Sequence, residues 1–136
     1  MRCRMLLMFA TLLAAPLMRG PAAFAADDPQ AEAAAGQKVF GRCAGCHSIE
    51  PGQNRIGPSL AGVYGRPSGA VDGFNYSPAM KNAHLVWDAA TLDKFLANPN
   101  AEVHGTRMFV ALPSADERRE VIAYLKTLSP QAAQSK

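Results

Sequence analysis

Cysteine is scarce in this chain, which has only three in 136 residues. Cys3 lies near the start, and Cys43 and Cys46 stand three positions apart. Because no cysteine follows Cys46, the second ligand pair of a structural zinc site is missing. A thioredoxin-like redox pair would need a βαβ pattern, which the sequence does not show. The alternatives that remain for Cys43 and Cys46 are a simple disulfide, common in exported proteins, and a covalent cofactor.

Long apolar runs are also missing, and the longest one is too short to span a bilayer. This run, residues 5–13, follows two arginines and is itself followed by a proline, an arginine and a glycine. Small residues at positions 23 and 25 complete the pattern of a secretory signal peptide. We therefore expect residues 1–25 to be removed on export, together with Cys3, and residues 26–136 to form a single mature domain.

The mature chain has no excess of charge of either sign. The full sequence has 14 lysines and arginines against 11 acidic residues, a formal net charge of +3. Three of the arginines lie within residues 1–25, so 11 basic residues face 11 acidic ones after cleavage. The basic balance of the precursor belongs to the targeting segment and gives no reason to expect a nucleic-acid partner.

The stretch from Cys43 to His47 reads C-A-G-C-H, the attachment signature of a c-type haem. Two thiols at this spacing can add across the two haem vinyl groups as thioethers, and His47 then lies beside the iron as an axial ligand. Ala44 and Gly45 are small, so the backbone can approach the porphyrin face. The motif predicts one covalently bound haem c, attached through Cys43 and Cys46 and ligated by His47.

Helix start signals recur along the mature chain, whereas no segment has a convincing strand pattern. The signals are capping residues followed by proline or by apolar residues at helical spacing. Residues 48–75 contain many glycines and prolines and no sustained period, which is typical of a long loop. So long a loop is unusual in a small domain, but a large cofactor can replace a second packing layer. The sequence predicts helices over residues 30–42, 78–82, 89–97 and 114–128, with Asn98 and Pro99 ending the third.

Several short motifs follow one another along the chain: G-Q-K-V-F at 36–40, C-A-G-C-H at 43–47, G-P-S-L at 57–60, G-T-R-M at 105–108 and I-A-Y-L-K at 122–126. In this order they resemble a class I c-type cytochrome, of the mitochondrial cytochrome c and bacterial cytochrome c2 kind. The resemblance implies an all-α, small cytochrome c fold, in which about four to five helices and long loops surround one covalent haem. It also implies that the first and last helices cross at Gly36, with Phe40 and Tyr124 at the contact.

The resemblance implies that Met108 is the second axial ligand of the iron. A thioether is a soft, neutral ligand that favours ferrous iron, and Met108 lies on a glycine-bearing loop rather than on a helical face. We expect Met80 to be an ordinary core residue. His104 stands where relatives often have proline and is the lesser rival ligand. Phe95 replaces the tyrosine that many relatives place beside the methionine sulfur.

The resemblance also implies further contacts around the haem. The Pro58 carbonyl would accept the remaining N–H of His47 and so orient its ring. The residues that match propionate partners are Arg66, Tyr76, Trp87 and Thr106. Arg66, Tyr76 and Trp87 match residues at the buried propionate, and Thr106 matches a residue near the second propionate. Core packing is the alternative for the two large aromatic side chains.

Iron ligated by histidine and methionine has no open position for a substrate. The resemblance therefore implies a soluble, monomeric one-electron carrier in the periplasm, with no enzymatic activity and no small-molecule substrate. Its partners would be redox proteins such as respiratory or photosynthetic complexes, periplasmic dehydrogenases and oxidases. Two alternatives stay open: a haem enzyme or sensor, peroxidase or gas-binding, with a labile sixth ligand, and a dedicated subunit of one dehydrogenase or oxidase.

Overall fold

The computed structural model describes residues 28–129. The predicted signal peptide, its cleavage point and Cys3 lie outside this range. Within it the chain forms five α-helices and no strand, apart from an isolated bridge between Pro67 and Val86. None of the helices in residues 28–129 combines the length and apolar character needed to cross a bilayer. The helices are α1 (Pro29–Phe40), α2 (Pro78–Lys81), α3 (Ala89–Ala97), α4 (Pro99–Glu102) and α5 (Ala115–Thr127). The predicted all-α class is confirmed.

Four of these helices begin within one residue of the predicted position, because each follows an extended residue whose side chain accepts a backbone N–H. The caps are Asp28, Ser77, Asp88 and Ser114, which bond the N–H groups of Gln30, Met80, Thr91 and Glu117. The end of α1 differs from the prediction. It lies at Phe40 rather than at Arg42, because Gly41 closes the last turn and the chain continues in tight turns.

Helix α4 is not predicted from the sequence, although the two residues that create it are predicted to end α3. Asn98 ends α3 in an extended conformation, with φ −156° and ψ 93°. The same residue caps α4, because its Oδ1 accepts the N–H of Ala101 at 3.1 Å. Pro99 then suits the first helical position, where no N–H donor is needed. One pair of residues therefore stops one helix and starts the next, and α4 leads into the loop that carries Met108.

α1 and α5 pack directly against each other, and Gly36 lies at their crossing. A Cβ atom on Gly36 would overlap the carbonyl of Glu120 and would lie 3.0 Å from Cβ of Tyr124. One turn along, the rings of Phe40 and Tyr124 meet with 5.3 Å between centroids at a tilt of 55°, a favourable aromatic geometry. Only glycine lets the two backbones approach this closely, so the crossing that the resemblance implies is present.

Exposed ion pairs join the same two helices near their ends. Arg42, two residues beyond α1, donates two hydrogen bonds to the Glu117 carboxylate, with N–O distances of 2.5 and 2.9 Å. These bonds lower the pKa of Glu117. Arg119 of α5 bonds Glu32 of α1 at 2.6 Å. Because solvent screens such pairs, they add little stability, but they fix where the chain leaves α1 and enters the C-A-G-C-H turn.

The predicted loop over residues 48–75 contains no helix, yet its backbone is well paired. The N–H of Gly65 bonds the carbonyl of Trp87 at 3.0 Å, and the N–H of Ser68 bonds the carbonyl of Leu85 at 2.8 Å. The second half of the loop therefore lies against the segment that precedes α3. This pairing supplies the partners that buried backbone groups need when no helix provides them.

Replacing Gly36 with alanine should lower the free energy of unfolding of the haem-bound protein by about 1–3 kcal/mol, the usual cost of overpacking. Alanine is the better helix former by about 1 kcal/mol, so the sign of the change separates crowding from helix propensity. Guanidinium denaturation measures it. Gln37→Ala, at the exposed next position, is the control and should change the value by less than about 0.5 kcal/mol. A Gly36→Ala protein as stable as the parent would show that the helices can separate at no cost.

Candidate haem-binding site

His47 is half-buried, and a single hydrogen bond orients its ring. Nδ1 of His47 lies 2.7 Å from the carbonyl oxygen of Pro58. Because a carbonyl oxygen can only accept, Nδ1 carries the proton and Nε2 keeps its lone pair. Burial lowers the pKa of His47, and the hydrogen bond to Pro58 opposes part of that shift. The ring is therefore neutral at neutral pH, which is the form that binds a metal ion.

Gly57 covers one face of the same ring with its backbone. A Cβ atom on Gly57 would lie 2.7 Å from Nδ1 and 2.9 Å from Nε2 of His47, well inside van der Waals contact. The N–H of Gly57 also bonds the carbonyl of Cys46 at 2.8 Å. The two residues of the G-P pair thus have different effects on His47: Gly57 leaves room for the ring, and Pro58 sets its rotation.

Cys43 and Cys46 lie on a tight turn just beyond α1. The N–H groups of Cys46 and His47 both bond the carbonyl of Cys43, at 3.0 and 2.9 Å, so one turn presents all three side chains. Both thiols are half-buried and free. Burial raises the pKa of Cys43, while the charge of Arg42 opposes the shift. Two free thiols on one turn beside a neutral imidazole fit covalent attachment of haem.

Met108 is half-buried and packs against the edge of the hydrophobic core. Its loop is fixed by internal hydrogen bonds. The buried Thr106 donates its N–H to the carbonyl of Val103 at 3.0 Å, and its hydroxyl accepts the N–H of Met108 at 3.3 Å. Gly105 has φ of 91°, a conformation that favours glycine. His104, in contrast, is exposed. The loop therefore presents a partly sheltered thioether, while the rival imidazole lies at the surface.

The apolar neighbours of the site belong to the core. Met80 on α2 is only 8% exposed and is a member of the main hydrophobic cluster, the position of an ordinary core residue. Trp87 is buried and packs on Phe95, with 5.0 Å between ring centroids and a tilt of 57°. Trp87 is therefore a packing residue, whatever its indole N–H binds, and Phe95 fills core space without offering a hydroxyl.

Arg66 and Tyr76, both expected at a propionate, lie close enough to affect each other. Burial raises the pKa of Tyr76, and the charge of Arg66 opposes that shift. The Arg66 guanidinium donates to the carbonyls of Ala61 at 2.8 Å and Ser59 at 3.0 Å. Since arginine carries five N–H donors, three are left for an anionic group. The structure thus gives Arg66 a contact with the G-P-S-L segment that the sequence did not predict.

Asn54 and Arg55 also belong to the site, although the sequence analysis did not single them out. The Arg55 guanidinium bonds the carbonyl of Ala44, inside the attachment motif, at 2.8 Å. The Asn54 side chain accepts the N–H of Ser59 at 3.0 Å and donates to the carbonyl of Asp72 at 3.2 Å. Such bonds between side chain and backbone require no fixed spacing, so the sequence carries no signal that could have revealed them.

A cavity of about 240 Å³ lies away from these residues, against α1, α3 and α5. Three of its four charged lining residues are in ion pairs, Glu32 with Arg119 and Asp93 with Arg118. The fourth, Lys126, lies over the Tyr64 ring, with Nζ 5.2 Å from the centroid. None of the candidate haem-binding residues lines it. The donor set of thiols, imidazole and thioether, rather than this cavity, therefore identifies the functional site.

Comparisons with known proteins give consistent matches. The family model described as Cytochrome c matches residues 33–129. The chain is 50% identical to cytochrome c of Euglena viridis over 99 residues, which cover 71% of this chain and 97% of that protein. It is 45% identical to cytochrome c2 of Rhodomicrobium vannielii, over 85% of this chain and 91% of that protein. The solved structure of cytochrome cH from Methylobacterium extorquens matches with a TM-score of 0.66 at 42% identity, over 70% of this chain and 97% of that chain.

Proposed function

Because this chain belongs to the cytochrome c family, we propose that it is a periplasmic one-electron carrier with His47 and Met108 as its iron ligands. The family carries one covalently attached haem c and transfers electrons, so the predicted cofactor is confirmed and the chain is an electron carrier rather than an enzyme. The two iron ligands, the periplasmic location and the redox partners are proposals.

The hydrogen bond between His47 Nδ1 and the Pro58 carbonyl is the observation that best supports the proposed ligation. It leaves Nε2 unprotonated for the iron, and a carbonyl acceptor makes the imidazole a stronger electron donor. When bound, haem supplies an iron that alternates between the ferric and ferrous states as one electron leaves or arrives. Met108 would supply the second ligand, a neutral thioether. An iron held by both His47 and Met108 would leave no site for a substrate.

The proposal also assigns partners to the haem propionates. The residues assigned to this role are Arg66, Tyr76, Trp87 and Thr106. Arg66 has unused N–H donors and is half-buried, which strengthens its attraction for a carboxylate. Trp87 and Thr106 are buried, and each carries one donor group, an indole N–H and a hydroxyl, that a carboxylate could accept.

Replacing Met108 with alanine should remove the weak far-red charge-transfer band that methionine-ligated ferric haem shows. The same change should let the ferrous protein bind carbon monoxide, because it opens the sixth position. Absorption spectra of the oxidised and reduced proteins measure both effects. Met80→Ala is the matched control, since it deletes a methionine from the core, and it should keep the band.

Two results would contradict the assignment of Met108. In the first, the band survives in Met108→Ala but disappears in Met80→Ala. In the second, the parent protein has the spectrum of haem with two histidine ligands, and this spectrum changes in His104→Ala. The exposure of His104 argues against the second result.

The proposed location rests on two features of the chain. Residues 1–25 have the pattern of a secretory signal peptide, and thioether formation needs reduced thiols that meet haem outside the cytoplasm. Cleavage after Ala25 would leave residues 26–136 as the mature protein. It would also remove Cys3, so that Cys43 and Cys46 are the only thiols and both attach to haem.

Expression of the full chain should give haem-bound protein in the periplasmic fraction, with a mass that starts at residue 26. Expression without residues 2–25 should give a chain that loses any haem on acid–acetone extraction. Cys3→Ala is the control and should behave as the parent does, because Cys3 leaves with the signal peptide. Covalently haem-bound protein in the cytoplasm after deletion of residues 2–25 would contradict the proposed export.

The proposed partners are redox proteins that dock beside the two ligands. Ile56 and Phe109 are 80% and 83% exposed, and each lies next to a site segment: Ile56 before Gly57, and Phe109 after Met108. The cations assigned to the surrounding surface are Lys38, Lys81 and Arg107, all exposed. Exposed apolar side chains with nearby positive charge suit an acidic partner, while the balanced charge of the mature chain limits long-range attraction.

Electron transfer to an acidic redox protein should depend only modestly on salt. Between low and high ionic strength, we expect the second-order rate constant from stopped-flow mixing to fall by less than about tenfold, because steering arises from local charge alone. Arg107→Ala should lower the low-salt rate more than Lys94→Ala, a control that removes an exposed charge from α3. A much steeper salt dependence, or equal effects of the two substitutions, would contradict this docking surface.

A further inference from the structure

Asn54 bonds the peptide unit that also carries the carbonyl acceptor of His47. The Asn54 Oδ1 accepts the N–H of Ser59 at 3.0 Å, and Nδ1 of His47 lies 2.7 Å from the carbonyl of Pro58. That N–H and that carbonyl are the two ends of a single peptide bond. The order of groups is therefore the His47 N–H, the Pro58 carbonyl, the Ser59 N–H and the Asn54 oxygen.

We propose that Asn54 is a positioning residue for His47, acting through the peptide between Pro58 and Ser59 to set how strongly the imidazole donates electrons. This inference rests on the proposed function, in which His47 is an iron ligand. It extends that function to a side chain whose hydrogen bonds go to other residues than His47.

The geometry of a peptide bond makes this action physically direct. A trans peptide is planar, and its C=O and N–H point in opposite directions. A side chain that holds the N–H of Ser59 therefore also fixes the direction of the Pro58 carbonyl. The proline ring further restricts rotation on its own side of the unit. The carbonyl is thus aimed at His47 by a contact made on the opposite edge of the same plane.

The same arrangement affects charge as well as position. An acceptor on the N–H of an amide polarises the group and makes its carbonyl oxygen a stronger acceptor. A stronger acceptor on Nδ1–H makes the imidazole more electron-rich, which favours ferric over ferrous iron and lowers the midpoint potential. Loss of the Asn54 acceptor should act in the opposite sense and raise the potential.

Asn54 is itself held by two contacts, one made by its own side chain and one made by the backbone of the next residue. Its Nδ2 donates to the carbonyl of Asp72 at 3.2 Å, 18 residues further along the same loop. The next residue, Arg55, donates its N–H to the carbonyl of Gly57 at 2.9 Å, which closes the turn that brings Asn54 to Ser59. The acceptor is therefore anchored independently of the peptide that it binds.

Ser59 is buried to 3% exposure and bonds through each of its polar groups. Its hydroxyl donates to the carbonyl of Glu50 at 2.7 Å and accepts the N–H of Ala61 at 3.2 Å, while its carbonyl accepts from Arg66 at 3.0 Å. These bonds hold the segment on the C-terminal side of the peptide. The bond to Asn54 is the contact that acts on the peptide itself.

The test compares Asn54→Ala with Ser68→Ala in the haem-bound protein. Ser68 is a matched control, because its hydroxyl accepts the N–H of Leu85 at 3.1 Å and so joins two segments in the same manner. We expect Asn54→Ala to raise the midpoint potential. In NMR spectra, its His47 Nδ1 proton should exchange with solvent about fivefold faster, the factor for losing one hydrogen bond of about 1 kcal/mol. Ser68→Ala should change neither quantity.

A second pair of variants separates the acceptor from added charge. Asn54→Asp keeps an acceptor for the N–H of Ser59 and adds a negative charge. Gln53→Glu adds the same charge at the exposed neighbouring position. Because a carboxylate is the stronger acceptor, the potential of Asn54→Asp should lie below that of Gln53→Glu. This pair decides the question if Asn54→Ala fails to hold haem.

Either of two results would overturn the proposal: Asn54→Ala matching Ser68→Ala in both potential and proton exchange, or Asn54→Asp having a potential no lower than Gln53→Glu. Failure of the proposed function has a different signature. In the oxidised parent protein, protons of a ligating His47 must show large shifts caused by the iron, and their absence would disprove ligation before any variant is made.

Discussion

The hydrogen bond from His47 to the Pro58 carbonyl is the interaction on which the rest of the site depends. It selects the tautomer with a free Nε2, it rotates the ring, and it links the attachment turn to a loop 11 residues away. That loop can hold a carbonyl in place only if its own backbone is fixed. This requirement accounts for the many bonds between side chains and backbone around Ser59, in a segment that has no regular secondary structure.

The helices supply the frame for this loop. α1 and α5 approach closely because Gly36 has no side chain, and Arg42 bonds Glu117 where the chain leaves α1. The C-A-G-C-H turn is therefore fixed relative to the helix pair by these contacts, independently of the contacts from the loops. The Met108 loop is held differently, by the short helix α4, which begins at Pro99 and is capped by Asn98. Each proposed ligand thus lies on an irregular segment that a helix holds at one end.

Much of the fold and the centre of the site could be predicted from the sequence. The caps at Asp28 and Ser114 mark helix starts because capping depends on one residue type beside the helix. The C-A-G-C-H motif by itself predicts covalent attachment of haem. The contacts of Arg66 with two carbonyls, the role of Asn54 and the pairing of Gly65 with Trp87 could not be predicted. They join groups that the fold brings together, and a bond to a backbone atom places no demand on the partner's residue type.

The doubly held peptide between Pro58 and Ser59 has a consequence for the speed of electron transfer. When the charge on a metal changes, ligands and nearby dipoles tend to move, and the energy of that rearrangement slows the exchange. A carbonyl fixed from both edges of its peptide plane would move little, so that His47, as the proposed ligand, would keep one orientation in the ferric and ferrous states. Dipoles set in advance avoid this reorganisation cost at the moment of reaction. The segment around Pro58 and Ser59, although irregular, is thus the part of the fold whose rigidity matters most for the rate of electron transfer.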